Sequence, residues 1–223
     1  MARPGHPDET EPLILTVPGL NGSGPTHWQS LWESSRPDTQ RVELGMWQSP
    51  RRNAWVTKLD QAIRAARAPV ILAAHSLGCL AVAWWAQLAG QPYGWPVAGA
   101  LLVAPADVDR PDLPPELVDF RPSPKIVLPF PSIVVASSDD VWVSLQHARD
   151  LASYWGSHFV DAGSLGHINA ASGVGWWDEG QALLDRVIRA SRKRGGIHAI
   201  SDSRSILAVN ATDAAQVHYL GLN

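Results

Sequence analysis

Four apolar runs constrain this chain more than any other feature of its sequence: LILTV (13–17), PVILAA (69–74), VAGALLVAP (97–105) and PSIVVASS (131–138). None alternates apolar with polar residues, so each predicts a strand buried on both faces. Stretches with helical spacing lie between them. THWQSLWESS (26–35) sets Trp28, Leu31 and Trp32 on one face, RRNAWVTKLDQAIRAARA (51–68) is amphipathic, and LGCLAVAWWAQLAG (77–90) reads as a buried helix closing at Gly90. QRVEL (40–44) and HFVD (158–161) add shorter strands, while SLQHARDLASYWG (144–156) and VGWWDEGQALLDRVIRASRKR (174–194) add helices. This succession predicts an α/β fold with a mostly parallel sheet of about five or six strands and helices on both faces. The expected organisation is a polar segment over 1–12, one domain over 13–194, and an extension over 195–223 that the sequence does not place. SILAV within that extension could form an edge strand, and the Pro- and Asp-rich stretch 106–130 reads as irregular.

Composition narrows the function classes. At 223 residues, 45% hydrophobic and 17% charged, the chain can bury a sizeable core without disulfides or metal. A net charge of -3 carries no electrostatic footprint for nucleic acid or a membrane surface. MARPGHPDETEP lacks the apolar centre of a signal peptide, and CLAVAWWAQLA is too short for a membrane span. Cys79 is the sole cysteine, so no internal disulfide can form and a cytoplasmic setting is expected. Without a secretory signal, the sequons at Asn21 and Asn210 read as chance matches. Neither a metal-ligand spacing nor a phosphate-binding glycine motif occurs, so no metal and no cofactor are predicted. The 11 Trp stand against three Phe and three Tyr. Trp in place of core Phe is the plain reading, and a Trp-lined pocket is the alternative.

In open α/β sheets, chemistry gathers at the carboxyl ends of strands. There, Ala74-His75-Ser76-Leu77-Gly78 stands between a strand and a buried helix. It has the small-x-Ser-x-Gly form of a nucleophile elbow, with Ala in the first glycine position. Small residues suit a strained serine backbone and a close strand–helix approach. Asp139 and Asp140 follow the strand PSIVVASS, and His167 follows HFVD within AGSLGHIN. The order Ser, Asp, His, each at a strand end, fits a nucleophile, an orienting acid and a general base. Asp140 is the first choice for the acid and Asp139 its competitor. The expected donors to a developing oxyanion are the backbone N–H of Leu77 and one from PGLNGSG, Leu20 before Asn21. The Ser76–Asp140 interval leaves no room for a large inserted lid domain, which predicts a fairly open cleft.

Four segments carry a family resemblance: VPGLNGSGPTHWQ (17–29), AAHSLGCLA (73–81), ASSDDVWV (136–143) and DAGSLGHIN (161–169). With them the chain resembles the small serine hydrolases related to retinoblastoma-binding protein 9, a lid-poor branch of the α/β-hydrolases. The resemblance implies a single-domain α/β-hydrolase-like fold and a triad of Ser76, Asp140 and His167. It departs at Ala74 and in the 195–223 extension. It also lacks an L-x-C-x-E segment, so the partner in that family's name does not carry over.

The expected activity is hydrolysis of a small-molecule carboxylic ester, or a related acyl compound, through an acyl-enzyme on Ser76. The alternative is a catalytically weak protein that keeps the fold as a binding module. His27 is read as bracing its loop, since a base before the nucleophile breaks the chain order. His75 and Cys79 are read as packed, and Asp107 and Asp109 as weaker candidates for the acid. The oligomeric state is not legible.

Overall fold

The structure, a computed structural model, describes residues 11–192. Residues 1–10 and 193–223, with SILAV and Asn210, lie outside the described residues. Six strands form one sheet: β1 Leu13–Val17, β2 Thr39–Arg41, β3 Val70–His75, β4 Val97–Val103, β5 Ser132–Ala136 and β6 His158–Asp161. Their spatial order is β2-β1-β3-β4-β5-β6 and every pairing is parallel.

Side chains along the central strands divide between two cores. Leu15, Val17, Leu72, Ala74, Ala100, Leu102 and Val134 face α2 (Arg52–Ala65), α3 (Leu77–Ala89) and α4 (Leu145–Trp155). Ile14, Ile71, Ala73, Leu101, Val103 and Val135 face α1 (Trp28–Ser35) and α5, a helix over 178–192. Both faces are apolar because both are covered, which is why the strands read as unbroken apolar runs.

Much of the Trp content is core. Trp28, Trp32, Trp55, Trp85 and Trp155 are among the largest fully buried side chains. Each indole N–H has an acceptor: Ile168 O, Trp176 O, Gly45 O, Asp60 Oδ1 and Pro124 O, respectively. Burying an indole is favourable only when that donor is paired.

Three boundaries differ from the sequence expectation. The second strand ends at Arg41 rather than reaching residue 44. Beyond Val42 the chain turns away, with the Leu44 N–H donating to Val42 O, and Gly45 and Met46 take left-handed backbone. The last helix begins at 178 rather than 174. Ahead of it, left-handed backbone at Gly175 and Trp177 folds the Trp177 ring under α1. Residues 106–130 are more ordered than their composition suggests. A short 3-10 helix, Pro115–Phe120, buries Leu117 and Phe120 in the α2–α3 core.

The approach of β1 to α3 leaves no space for a side chain at Gly78. A methyl group there would meet the carbonyl oxygens of Val17 and Pro18, backbone atoms that cannot rotate aside. Gly78→Ala is therefore expected to lower stability by about 3 kcal/mol, the upper end of the cost of overpacking. Thermal unfolding checks this, and an unchanged midpoint would disprove the close approach.

Candidate active site

Apolar β3 delivers the chain to Ser76, and α3 departs from Leu77. Ser76 sits at the reversal with φ 53 and ψ -122, a conformation rarely adopted by a residue bearing a Cβ. Its N–H is held by Val103 O at 2.9 Å. The elbow is crowded from the β1 side too, since a Cβ on Gly19 would lie 2.8 Å from that of Ser76. The demand for small residues thus falls on Gly78 and Gly19, and Ala74 fits inside the core.

Ser76, His167 and Asp140 are brought together. His167 Nε2 lies 2.9 Å from Ser76 Oγ, and His167 Nδ1 lies 2.8 Å from Asp140 Oδ2. The Asp140 side chain is fully buried, and its other oxygen accepts the Trp142 N–H at 2.8 Å. Asp139 turns the other way. Its Oδ1 accepts from Ser137 Oγ at 2.6 Å and from the Gly166 N–H at 2.7 Å, bonds that hold its carboxyl below the usual range. The adjacent carboxylates thus split between the ring of His167 and the backbone just before it.

The loop carrying His167 is tied down from below. The Trp28 indole donates to Ile168 O at 3.0 Å, and His75 Nε2 donates to His167 O at 2.9 Å. Burial, then the neighbouring His167 and His27, push the His75 pKa well below its ordinary value, so the ring is neutral and serves as a strut. Cys79 is buried with its thiol against Val103 O, and burial pushes its pKa up. Such a thiol is inert packing.

Leu20 and Leu77 both face the cleft, and their N–H groups have no acceptor among the described residues. Asn21 differs: its N–H donates to Trp47 O at 2.8 Å and is not available to a ligand. The turn that makes it left-handed, φ 65, points that N–H away from Ser76. The PGLNGSG loop is fastened to the sheet through Gln29. Ser23 Oγ donates to Gln29 Oε1 at 2.5 Å, and Gln29 Nε2 donates to Ala73 O at 2.9 Å. Nothing in the sequence marked this fully buried glutamine, because the partner that makes it useful lies on another strand.

The cleft above Ser76 has a volume of about 380 Å³. Leu113, Pro114, Leu117 and Trp142 wall one side, so the stretch expected to be a plain connection supplies half the pocket. Its signal was the apolar spacing of Leu113, Leu117 and Phe120 within a Pro-rich segment. Asp107 reaches the cleft, yet it pairs with His147 at 3.3 Å rather than with His167. Among the described residues no cluster of three or more His, Cys, Asp or Glu could hold a metal, and no helix is long and apolar enough to cross a membrane.

His27 caps α1, its Nδ1 accepting the Gln29 N–H at 3.2 Å. Burial, with the positive fields of His167 and Arg41, lowers its pKa to about 4. An unfolded chain would take up this proton near pH 6.5, so His27 stabilises the fold fully above that pH. The stabilisation falls as pH drops from about 6.5 toward 4, by on the order of 3 kcal/mol, and His75 acts in the same direction. Thermal unfolding between pH 4 and 7 should show this slope, and His27→Asn should flatten it. An equal slope in the variant would refute the buried neutral ring.

A parallel sheet with a strained serine turn after its third strand, and no large inserted domain, defines an α/β-hydrolase fold. The chain belongs to the serine hydrolase family, whose profile matches residues 14–186. It is similar to a YdeN-like hydrolase from Pectobacterium atrosepticum, with 35% identity and a TM-score of 0.68 over 80% of this chain and 90% of that one. The ydeN gene product of B. subtilis shares 23% identity, TM-score 0.61, over 72% and 89% of the two chains. Est1E from Butyrivibrio proteoclasticus, solved with ferulic acid, shares 12% identity, TM-score 0.56, over 80% and 89%. These last two show the fold alone. No curated protein matches the chain.

Proposed function

We propose that this serine hydrolase is a cytoplasmic enzyme cleaving small carboxylic esters through an acyl-enzyme on Ser76, and that it is related to the retinoblastoma-binding protein 9 group. The observation that carries the reading is the unbroken hydrogen-bond chain from Ser76 through His167 to Asp140. A serine hydroxyl is a weak nucleophile at neutral pH, so His167 Nε2 takes its proton as Oγ attacks the acyl carbon. Asp140 keeps the proton of His167 on Nδ1 and stabilises the imidazolium that forms. The tetrahedral oxyanion is received by the N–H groups of Leu77 and Leu20. His167 then protonates the leaving alcohol, and a water activated by the same ring releases the acid. No step needs a metal or a cofactor.

A fluorophosphonate probe tests this directly. It should form one adduct, on Ser76, in the folded protein and none after heat denaturation. Folded protein without an adduct would overturn the reading. Nitrophenyl esters of increasing acyl length should then be cleaved best while the acyl chain still fits the side lined by Leu113, Leu117 and Trp142.

A further inference from the structure

The cleft is chemically lopsided. Opposite its apolar wall stand His27, His75, Asn169 and the Gly22–Gly24 backbone. His27 Nδ1 is occupied by the Gln29 N–H, and the neutral ring must therefore carry its hydrogen on Nε2. That Nε2–H is buried and has no protein acceptor, in a residue only 4% exposed. An unpaired buried donor is costly, and one kept at the edge of a cleft needs an occupant to satisfy it. Asn169 is built in the same sense. Its Oδ1 accepts the Ala171 N–H at 2.9 Å, and its Nδ2 has no acceptor among the described residues. The two residues share a wall because the Trp28 indole, next in sequence to His27, bonds Ile168 O, next to Asn169.

We propose that His27 and Asn169 form a donor-only subsite for the alcohol part of the substrate, selecting esters whose alcohol bears an acceptor oxygen. The inference rests on the ester-hydrolase reading of Ser76. The leaving oxygen must take its proton from His167 Nε2, so the alcohol lies on the side of the His167 loop, where Asn169 follows two residues later. The acyl chain then faces Leu113, Leu117 and Trp142. An ether, carbonyl or hydroxyl oxygen a few atoms from the scissile bond meets two donors, whereas a methylene there leaves both unpaired. Because the His27 donor is neutral, an uncharged oxygen suffices.

The test compares two near-isosteric substrates, 2-methoxyethyl butyrate and butyl butyrate, which differ by an oxygen in place of a methylene. The readout is the ratio of their kcat/KM values within each protein, so a variant that folds poorly does not distort it. Any intrinsic difference in leaving-group reactivity is common to every protein compared. His27→Asn retains an oxygen to cap α1, and Asn169→Ser retains one for the Ala171 N–H; each removes the cleft donor. Each variant is expected to lower the methoxyethyl preference about tenfold, as losing one neutral hydrogen bond would. The same ratio in variants and wild type overturns the subsite. So does a variant-sensitive preference for butyl 3-methoxypropanoate over butyl pentanoate, which would put the oxygen on the acyl side. Dissociation constants of the two butyrates for the Ser76→Ala protein, followed by Trp142 fluorescence, read the subsite without chemistry. If wild type cleaves no ester, the reading of Ser76 fails, and equal constants there would overturn the subsite separately.

Discussion

Replacing Ser76 with alanine is expected to lower kcat by on the order of 10⁶-fold, provided the three groups act as a unit. Alanine fits the elbow, since the crowding contact from Gly19 is to Cβ and not to Oγ. The fold is therefore expected to persist while the nucleophile is lost. What remains would be substrate binding and the two backbone donors, and KM should change little. Activity within tenfold of wild type would rule out Ser76 as the nucleophile. Unchanged circular dichroism and melting temperature in the same sample would assign the loss to chemistry.

The second large effect separates the neighbouring carboxylates. Asp140→Asn is expected to lower kcat by about 10⁴-fold. An amide facing His167 Nδ1 favours the wrong tautomer and leaves the imidazolium unsupported in a buried position. Asp139→Asn keeps an oxygen for Ser137 Oγ and the Gly166 N–H, weakening two charge-assisted hydrogen bonds to neutral ones. Its expected loss is about tenfold or less. A larger loss from Asp139→Asn than from Asp140→Asn would reverse the assignment, because it would make loop position matter more than ring orientation. The pair should be measured on one substrate at saturation, so that kcat alone is compared.

These two aspartates mark where sequence reading stops. Both follow the same strand, and spacing alone cannot choose between them. The choice depends on how the chain turns after Ala136, a tertiary matter: one carboxyl ends 2.8 Å from an imidazole and the other on a backbone N–H. Asn21 gives the same lesson in reverse. Sequence ranked it next to Leu20 as a donor, and the fold spends its N–H on Trp47, brought there by the turn at Gly45 and Met46. The short β2 has that origin too.

The sheet, its parallel sense and its helical cover were legible in the apolar runs, because only strands buried on both faces can dispense with polar alternation. The elbow was legible because a strained turn excludes all but small neighbours. The order of Ser76, Asp140 and His167 along the chain was legible for a similar reason: a parallel sheet collects its strand ends on one edge. Tertiary structure alone decided which carboxylate meets the histidine, that 106–130 walls the cleft, and that Gln29, His27 and Asn169 face it with committed or free hydrogen-bonding groups. Local sequence encodes periodicity and steric size. Hydrogen-bond partners far apart in the chain are chosen only when packing sets their distances.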